Sequence, residues 1–175
     1  MGNKIYICSI QDRYIAYLRI FDSFVRENKE GRRKYIGVLF DIDGKKYYAP
    51  LASPKPKYSR INDNAPDLFK IDNGRLGVIN LNNMIPVPDS EITRIDIEKE
   101  KDEKYKNLLR NQANFIISKR KKIIDKAKLL YSIVNSGKHP VINSRCCNFK
   151  LLEIKCEEYS KTMEEVAVTI EEHDF

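Results

Sequence analysis

Residues 47–57 read Tyr-Tyr-Ala-Pro-Leu-Ala-Ser-Pro-Lys-Pro-Lys, a strand that runs into a stiff loop. The prolines at positions 50, 54 and 56 fix φ and lack a backbone N–H, so the chain leaves its sheet here and does not re-enter a ladder. Ser53 and Lys55 are two residues apart in an extended segment, which can point both side chains to one side, and Lys57 continues that row. The stretch is typical of two structures: a rigid loop that presents a hydroxyl beside cations, or a solvated, proline-rich turn.

A hydroxyl held beside an ammonium group suits a phosphodiester. Cleavage of RNA without a metal uses the 2′-hydroxyl of the RNA as nucleophile, so the enzyme has to orient the attack, stabilise the developing phosphate charge and protonate the leaving 5′-oxygen. We interpret Lys55 as the cation for the non-bridging oxygens and Ser53 as a hydrogen-bonding group, with a second cation from Arg33 or Lys34. A lysine base would need a pKa far below its reference value of about 10.4, so electrostatic stabilisation ranks first for Lys55.

The composition favours a basic protein that binds a polyanion. We predict one domain over residues 1–175, a length sufficient for a real core. The formal net charge is +7, and Lys and Arg cluster at 32–34, 45–46, 55–57 and 119–122. Nucleic acid, an anionic membrane surface and an acidic protein all fit this charge, but a membrane binder should show a strongly basic amphipathic helix or a lipid anchor. With no long apolar span and no signal peptide, we expect a cytoplasmic protein without membrane contact.

Cysteine and histidine do not form a metal-binding pattern. The four cysteines lack the two-residue spacing of a zinc knuckle, and the two histidines, His139 and His173, both lie in the last third of the chain. We expect no metal, no cofactor and no catalytic histidine. Apolar surroundings predict that Cys8 and Cys156 are buried, reduced thiols.

Turn dipeptides divide the first half of the chain into short strands. Asp43-Gly44 and Asn73-Gly74 tolerate the positive φ values of tight turns and predict two hairpins, over 35–51 and 68–81. Gly77, inside the second hairpin, indicates a bulge or a close backbone approach. Five or six short strands by residue 97 predict an α+β fold with a compact, strongly curved antiparallel sheet or small barrel.

Helical spacing of apolar residues predicts helices mainly in the C-terminal half. A first helix begins near Ser9, and the pattern over 105–134 predicts one long helix or two abutting helices. A last helix begins near Asn148 and gives way to a terminal strand, which the alternating apolar residues at 166–170 indicate.

The charge-rich junction at 119–122 has two interpretations. It is either a solvated turn or a strip that lies along a phosphate backbone, and on the second interpretation Lys119, Arg120 and Lys121 bind RNA together with Lys34 and Lys57. Tyr14 and Phe115 lie at helical spacings that indicate core packing more often than base stacking.

Five blocks of sequence follow one another along the chain. They are Tyr-Ile-Ala-Tyr-Leu at 14–18, Tyr-Ile-Gly-Val at 35–38, Tyr-Ala-Pro-Leu-Ala-Ser-Pro-Lys at 48–55, Leu-Gly-Val-Ile-Asn-Leu-Asn-Asn-Met-Ile-Pro at 76–86 and Cys-Asn-Phe-Lys-Leu-Leu-Glu at 147–153. In these blocks and their order the chain resembles the ToxN/AbiQ endoribonucleases, the toxins of type III toxin–antitoxin systems, whose antitoxin is a repeated pseudoknot RNA.

The resemblance implies a curved antiparallel sheet of the MazF/Kid toxin type with added helices. It implies metal-free cleavage of adenine-rich RNA that leaves 2′,3′-cyclic phosphate and 5′-hydroxyl ends, and inhibition by an RNA antitoxin in an assembly where RNA bridges toxin subunits. It places the active site on Ser53 and Lys55, a basic residue on Arg33, and aromatic site residues on Phe115 and Tyr14.

One residue departs from the pattern of that family. Many members carry Thr or Ser immediately before the loop serine, whereas this chain has Ala52 and so lacks one hydroxyl contact to the scissile phosphate. Two alternatives stay open: a module that binds structured RNA without cutting it, which Ala52 favours, and the same fold aimed at a protein target.

Overall fold

The computed structural model describes the backbone of residues 4–173 and the side chains of residues 4–171. Within this range it contains eight strands and five α-helices, joined in part by short 3₁₀ turns. The strands are β1 (Tyr6–Ile10), β2 (Tyr35–Gly37), β3 (Asp41–Ile42), β4 (Lys45–Ala52), β5 (Phe69–Lys70), β6 (Val78–Ile79), β7 (Ile85–Pro86) and β8 (Ile92–Arg94). The helices are α1 (Asp12–Phe21), α2 (Glu103–Ser118), α3 (Arg120–Asn135), α4 (Pro140–Asn143) and α5 (Phe149–His173).

The strands form one antiparallel sheet built around β4. The order is β5-β6-β4-β2-β1-β8, and β3 and β7 also pair with β4. β4 reaches this many partners because it exchanges them along its length, pairing with β7 at Tyr47–Tyr48, with β2 at Ala49–Pro50 and with β6 at Leu51–Ala52. The predicted α+β class and antiparallel sheet are confirmed.

The sheet is open, so a closed small barrel is not confirmed. β5 and β8 lie at opposite edges, and in the described part of the chain no ladder joins them. These edge strands are short, with two and three residues.

Both predicted hairpins are present. Asp43 and Gly44 have φ values of +49° and +80°, the conformation of a primed two-residue turn, and they join β3 to β4. The second hairpin, β5 to β6, is shorter than predicted because a 3₁₀ turn at Asp72–Gly74 takes up the residues between its arms.

The helical half contains two abutting helices, as one of the two interpretations predicted. α2 ends at Ser118 and α3 begins at Arg120, with Lys119 outside helical geometry at ψ 11°. The Asp102 carboxylate caps α2 by accepting a hydrogen bond from the Tyr105 backbone N–H at 3.1 Å.

Two predictions are wrong, one on where the first helix begins and one on the structure of the C-terminal segment. Ser9 does not start α1, because it pairs with Thr93 in the sheet, and the helix begins at Asp12. The predicted terminal strand is absent from the described residues, because α5 continues to His173. The alternating apolar residues there are exposed on the helix instead of buried in a ladder, at 49 % for Val166 and 58 % for Ile170.

One hydrophobic core joins the sheet to α1, α2, α3 and α5. All four cysteines are buried free thiols, which confirms the prediction for Cys8 and Cys156. Glu153 is a buried carboxylate that accepts hydrogen bonds from the hydroxyls of Tyr47 and Tyr131. No helix of the described residues is long and apolar enough to cross a bilayer.

Candidate functional site

A polar groove of about 220 Å³ opens where β4 ends. Its walls come from three parts of the chain: the segment between α1 and β2, the loop after β4, and the first three turns of α2. The lining residues are Arg26, Lys29, Arg32, Arg33, Lys34, Leu51, Ala52, Ser53, Lys55, Lys57, Tyr58, Asn80, Tyr105, Leu108 and Gln112.

The loop after β4 presents the hydroxyl and the ammonium group on an exposed, extended backbone. Ala52 is the last residue of β4 and pairs with Val78, so Ser53 is the first residue free of the sheet. Ser53 and Lys55 are both exposed, and Lys55 is extended, with φ −142° and ψ 144°. The Lys55 carbonyl then accepts a hydrogen bond from the Tyr58 N–H at 3.0 Å, which starts the 3₁₀ turn and fixes where the loop ends.

The second hairpin supports this loop from behind. Gly77 has a φ of +96°, and a β-carbon there would lie 2.0 Å from the Ala52 carbonyl oxygen and 3.2 Å from the Ser53 carbonyl carbon. Gly74 makes a similar approach to Tyr58, at 3.2 Å from its β-carbon. The close backbone approach predicted for Gly77 is therefore confirmed, and it places a rigid hairpin under the loop.

Pairing between β2 and β4 brings the second group of cations to the loop. The Leu51 N–H donates to the Lys34 carbonyl at 2.8 Å, and Tyr35 pairs with Pro50 one residue further along. Arg33 and Lys34 therefore lie beside the end of β4 although they are about 20 positions away in sequence. Arg33 is held in place by its Nε, which donates to the Glu27 carbonyl at 2.7 Å.

Asn28 anchors the segment that carries these cations. Its buried amide donates to the Ile10 carbonyl at 2.8 Å and to the Asp12 carboxylate, and it accepts a hydrogen bond from the Tyr35 hydroxyl at 3.3 Å. Its backbone carbonyl accepts from the Arg33 N–H at 3.1 Å. One side chain thus ties the cationic segment to β1, α1 and β2 at once.

The groove is strongly positive. Seven cationic side chains line it, and no acidic side chain among the described residues does. Burial lowers the pKa of Arg33, and the neighbouring Arg26 adds to this effect while Tyr35 opposes it. Burial raises the pKa of the Tyr58 and Tyr105 hydroxyls, so both stay neutral at physiological pH and available as hydrogen-bond donors. Such a surface concentrates an anion.

Five of the predicted site residues lie together in this groove: Ser53, Lys55, Arg33, Lys34 and Lys57. Phe115 and Lys119 instead line a neighbouring pocket on the same side of α2. Arg120 and Lys121 begin α3 and line neither cavity, and Lys121 is paired with Asp125 at 2.6 Å.

The prediction that Tyr14 contacts RNA is not supported by its position. Its side chain has no exposed surface, and its hydroxyl donates to the Pro86 carbonyl at 2.7 Å. Tyr14 is a core residue, as its helical spacing indicated. His139 is exposed beside α4 and does not line the groove, and the His173 side chain lies outside the described residues.

Sequence reasoning missed several groove residues. Arg26 and Lys29 join the site through the fold of the segment before β2, for which no local pattern gives a signal. Tyr105 and Gln112 had a signal, because they are polar groups on the otherwise apolar face of α2. Gln112 is buried and donates to the Leu76 carbonyl at 2.8 Å, which fastens α2 to the second hairpin.

Comparison with known proteins agrees with this architecture. The family model described as "Toxin ToxN, type III toxin-antitoxin system" matches residues 6–157. The chain is 34% identical over 166 residues to Endoribonuclease ToxN of Pectobacterium atrosepticum, covering 90% of this chain and 95% of the relative. It is 37% identical over 162 residues to Endoribonuclease ToxN of Bacillus thuringiensis subsp. kurstaki, covering 87% of this chain and 83% of the relative.

Solved structures give the same result. A toxin structure from work on selective toxin inhibition by a non-coding RNA pseudoknot superposes with a TM-score of 0.78 at 36% identity, covering 90% of this chain and 98% of the other. AbiQ, a lactococcal anti-phage endoribonuclease, superposes with a TM-score of 0.78 at 30% identity, covering 90% of this chain and 99% of the other. This chain belongs to the ToxN family, the toxins of type III toxin–antitoxin systems.

Proposed function

We propose that this chain is an endoribonuclease toxin that acts in the cytoplasm as a single catalytic domain and cuts RNA in the groove at the end of β4. The observation that carries the proposal is the set of seven cations around an exposed serine hydroxyl, in a groove that no acidic side chain of the described residues lines. The relatives are named endoribonucleases, and the bond that such enzymes cut is a phosphodiester. A cationic groove with a hydroxyl group can bind that anion and stabilise the charge that develops on it.

The chemistry we propose is attack by the RNA's own 2′-oxygen on the adjacent phosphorus. The P–O5′ bond breaks as the O2′–P bond forms, which leaves a 2′,3′-cyclic phosphate and a 5′-hydroxyl. Lys55 and Arg33 offset the charge that develops on the non-bridging oxygens, and Ser53 donates a hydrogen bond to one of them. The 2′-hydroxyl releases one proton and the departing 5′-oxygen takes one up, so the step balances without a further reactant. Solvent water can exchange both protons in the open groove, and the mechanism therefore does not require a histidine there.

The donor set of the groove supports a reaction without a metal. Carboxylates, imidazoles and thiols are the protein ligands of catalytic cations, and among the described residues none of them lines the groove. The seven cationic side chains would also repel a metal ion. We further propose that adenine-rich sequences are preferred, which rests on the resemblance of the loop 48–55 to the family's active-site loop.

We propose that a repeated pseudoknot RNA inhibits the enzyme by occupying the same groove. A neighbouring structure is described as a toxin selectively inhibited by a non-coding RNA pseudoknot, and another as part of an antiviral system regulated by a processed non-coding RNA. Charge supports a shared site, since antitoxin and substrate are both polyphosphates. In the resulting assembly, RNA bridges toxin subunits.

The test is cleavage of an adenine-rich RNA in excess EDTA, with the ends of the products mapped. We expect cyclic phosphate and 5′-hydroxyl ends, and a loss of about a hundredfold in rate for Ser53→Ala and for Lys55→Ala. Ser59→Ala and Lys128→Ala are matched controls, because both residues are exposed and lie outside the groove. Cleavage that disappears with EDTA, or that continues at full rate in Ser53→Ala, would contradict the proposal.

Ala52 favours a second candidate, a module of the same fold that binds structured RNA without cutting it. Position 52 lines the groove but supplies only a methyl group. Tight, strongly salt-dependent binding of RNA that is unchanged after long incubation would identify this function.

A further inference from the structure

Tyr58 is a buried tyrosine whose hydroxyl the fold does not use. It lies in the 3₁₀ turn that ends the loop after β4, and its side chain is only 7 % exposed. It is not part of the hydrophobic core that joins the sheet to the helices, and among the described residues its ring contacts no other aromatic ring.

The other buried tyrosines all use their hydroxyls in hydrogen bonds, as buried tyrosines usually do. These are Tyr14, Tyr35, Tyr47 and Tyr48. The Tyr58 hydroxyl has no hydrogen-bond partner in the part of the chain that the structure describes. Tyr58 therefore carries a polar group that does not hold the fold together.

This hydroxyl opens into the groove. Within the described residues, the only fully buried side-chain oxygen or nitrogen without a partner belongs to Asn143. The Tyr58 hydroxyl also lacks a partner, so it is not fully buried and reaches solvent although the ring is covered. Tyr58 lines the groove, and the hydroxyl therefore faces the space between the cations.

The position of the Tyr58 side chain is fixed relative to the loop. Its backbone N–H donates to the Lys55 carbonyl at 3.0 Å, and a β-carbon at Gly74 would lie 3.2 Å from its own β-carbon. The Lys57 ammonium group lies 5.4 Å from the centre of its ring. The hydroxyl is thus held by the same short segment that carries Lys55.

The charges around this hydroxyl suit the transfer of its proton. Arg26 and Arg33 act on it, since both lower its pKa while burial raises it more strongly. The hydroxyl is therefore protonated at neutral pH, and a phenolate that formed there would be stabilised by two guanidinium groups. The 5′-oxygen that departs from a cleaved phosphodiester is a stronger base than a phenolate, so a proton passes from the phenol to it readily.

We propose that the Tyr58 hydroxyl is the general acid of the groove and gives its proton to the departing 5′-oxygen as the P–O5′ bond breaks. The proton of the 2′-hydroxyl passes to water, and water returns a proton to the Tyr58 phenolate after the products leave, so atoms and charges balance. The inference rests on the proposed function and deepens it, because it assigns to one side chain a proton that solvent alone could supply.

The test compares two substrates under single-turnover conditions. Each is an adenine-rich oligonucleotide with one 2′-hydroxyl, and the bridging atom at the 5′ position of the cleavable linkage is either oxygen or sulfur. An ordinary thiol has a pKa of about 8.5, so the sulfur leaves as a thiolate without a proton. We expect Tyr58→Phe to cut the oxygen substrate about a hundredfold more slowly than the unmodified protein and the sulfur substrate at the same rate.

Matched variants separate protonation from binding and from folding. Ser53→Ala is slow on both substrates, because its hydrogen bond goes to a non-bridging oxygen that both contain. Tyr17→Phe removes a hydroxyl that lies outside the groove and donates to the Lys155 carbonyl at 3.0 Å, so it cuts both substrates at the unmodified rate. Tyr58→Phe keeps the ring and loses no hydrogen bond of the fold, so its thermal midpoint equals that of the unmodified protein.

The outcomes distinguish this inference from the proposed function. If the unmodified protein cuts RNA and Tyr58→Phe cuts the oxygen substrate equally fast, Tyr58 is not the acid and the proposed function stands. If Tyr58→Phe is equally slow on both substrates, the hydroxyl binds the phosphate without protonating the leaving group, and the inference is wrong. If the unmodified protein cuts neither substrate, both proposals are wrong.

Discussion

The α-carbon of Gly77 lies so close to Ala52 that a β-carbon at position 77 would be 2.0 Å from the Ala52 carbonyl oxygen. That oxygen belongs to the peptide that joins β4 to Ser53, so the contact sets where the candidate catalytic loop begins. The hairpin β5–β6 is therefore packed directly against the backbone of the loop. A side chain added at Gly77 would displace that backbone and move Ser53 with it.

Gly77→Ala is expected to lower both stability and cleavage. An alanine at this position would have to keep a φ of +96°, and its β-carbon would also displace the Ala52 backbone. The two costs in free energy add, so we expect a larger loss of stability than from the positive φ alone. Gly44→Ala is the control, because Gly44 has a φ of +80° but no atom within 4 Å of an added β-carbon, so it should cost only about 1–2 kcal/mol. Urea unfolding and cleavage rates give the comparison, and equal losses for the two variants would contradict a role for the close approach.

Asn28→Ala is expected to weaken RNA binding although Asn28 does not line the groove. The substitution removes the buried amide that ties the cationic segment to the Ile10 carbonyl and the Tyr35 hydroxyl. We expect a loss of about 1–3 kcal/mol in unfolding free energy and a reduced affinity for RNA. Asn107→Ala, on the exposed face of α2, should change neither quantity. Normal RNA affinity in a destabilised Asn28→Ala would show that the segment is held by other contacts.

Ala52→Thr is expected to increase cleavage. A hydroxyl beside Ser53 can donate one more hydrogen bond to the phosphate, and a bond to a charged group is worth about 1.5–3 kcal/mol, or roughly ten- to a hundredfold in rate if it acts only in the transition state. Ala52→Val is the control, because valine has nearly the shape of threonine but no hydroxyl. An increase in both variants would point to a change in loop packing instead.

How far the sequence predicted the fold depends on the range of the interactions involved. Asp43-Gly44 specified its turn because the backbone preference belongs to those two residues, and the loop at 53–57 was found because Pro54 and Pro56 act locally. The expectation that Pro50 also takes the chain out of the sheet is wrong, because Pro50 pairs with Tyr35 inside β4. The other wall of the groove depends on the register that puts Lys34 beside Leu51, and no local pattern contains that pairing. Arg26 was missed for this reason.

Two patterns in the sequence fit more than one structure. Tyr14 carries an apolar ring and a hydroxyl, and both base stacking and core packing use such a side chain, so only its burial decides between them. The apolar residues at 166, 168 and 170 alternate as in a strand, but residues 166 and 170 are also one helical turn apart. α5 runs through them without a break, and in the described part of the chain no strand edge lies beside them to pair with.

High pH is expected to destabilise the protein in part through Cys8. Burial raises the pKa of this thiol from 9.0 to about 12, and Arg94 offsets only part of that effect. The folded state therefore keeps the proton above pH 9 while the unfolded state releases it, so unfolding free energy falls by about 1.4 kcal/mol per pH unit between pH 9 and pH 12 from this group. In Cys8→Ala the fall should be shallower by that amount. Parallel curves for the two proteins in urea unfolding would contradict the assignment.

The C-terminal part of α5 is expected to contribute little to stability, although it carries three apolar residues at 166, 168 and 170. Residues 158 onwards lie beyond the family match, and Val166 and Ile170 are about half exposed, so replacing both with serine removes little buried surface. We expect a change in unfolding free energy within about 0.5 kcal/mol at each site. Leu152→Ala, on the buried face of the same helix, should cost about 2–5 kcal/mol. A large loss in the double serine variant would mean that the exposed stripe is covered in solution, and a concentration-dependent loss would mean that another copy of the chain covers it.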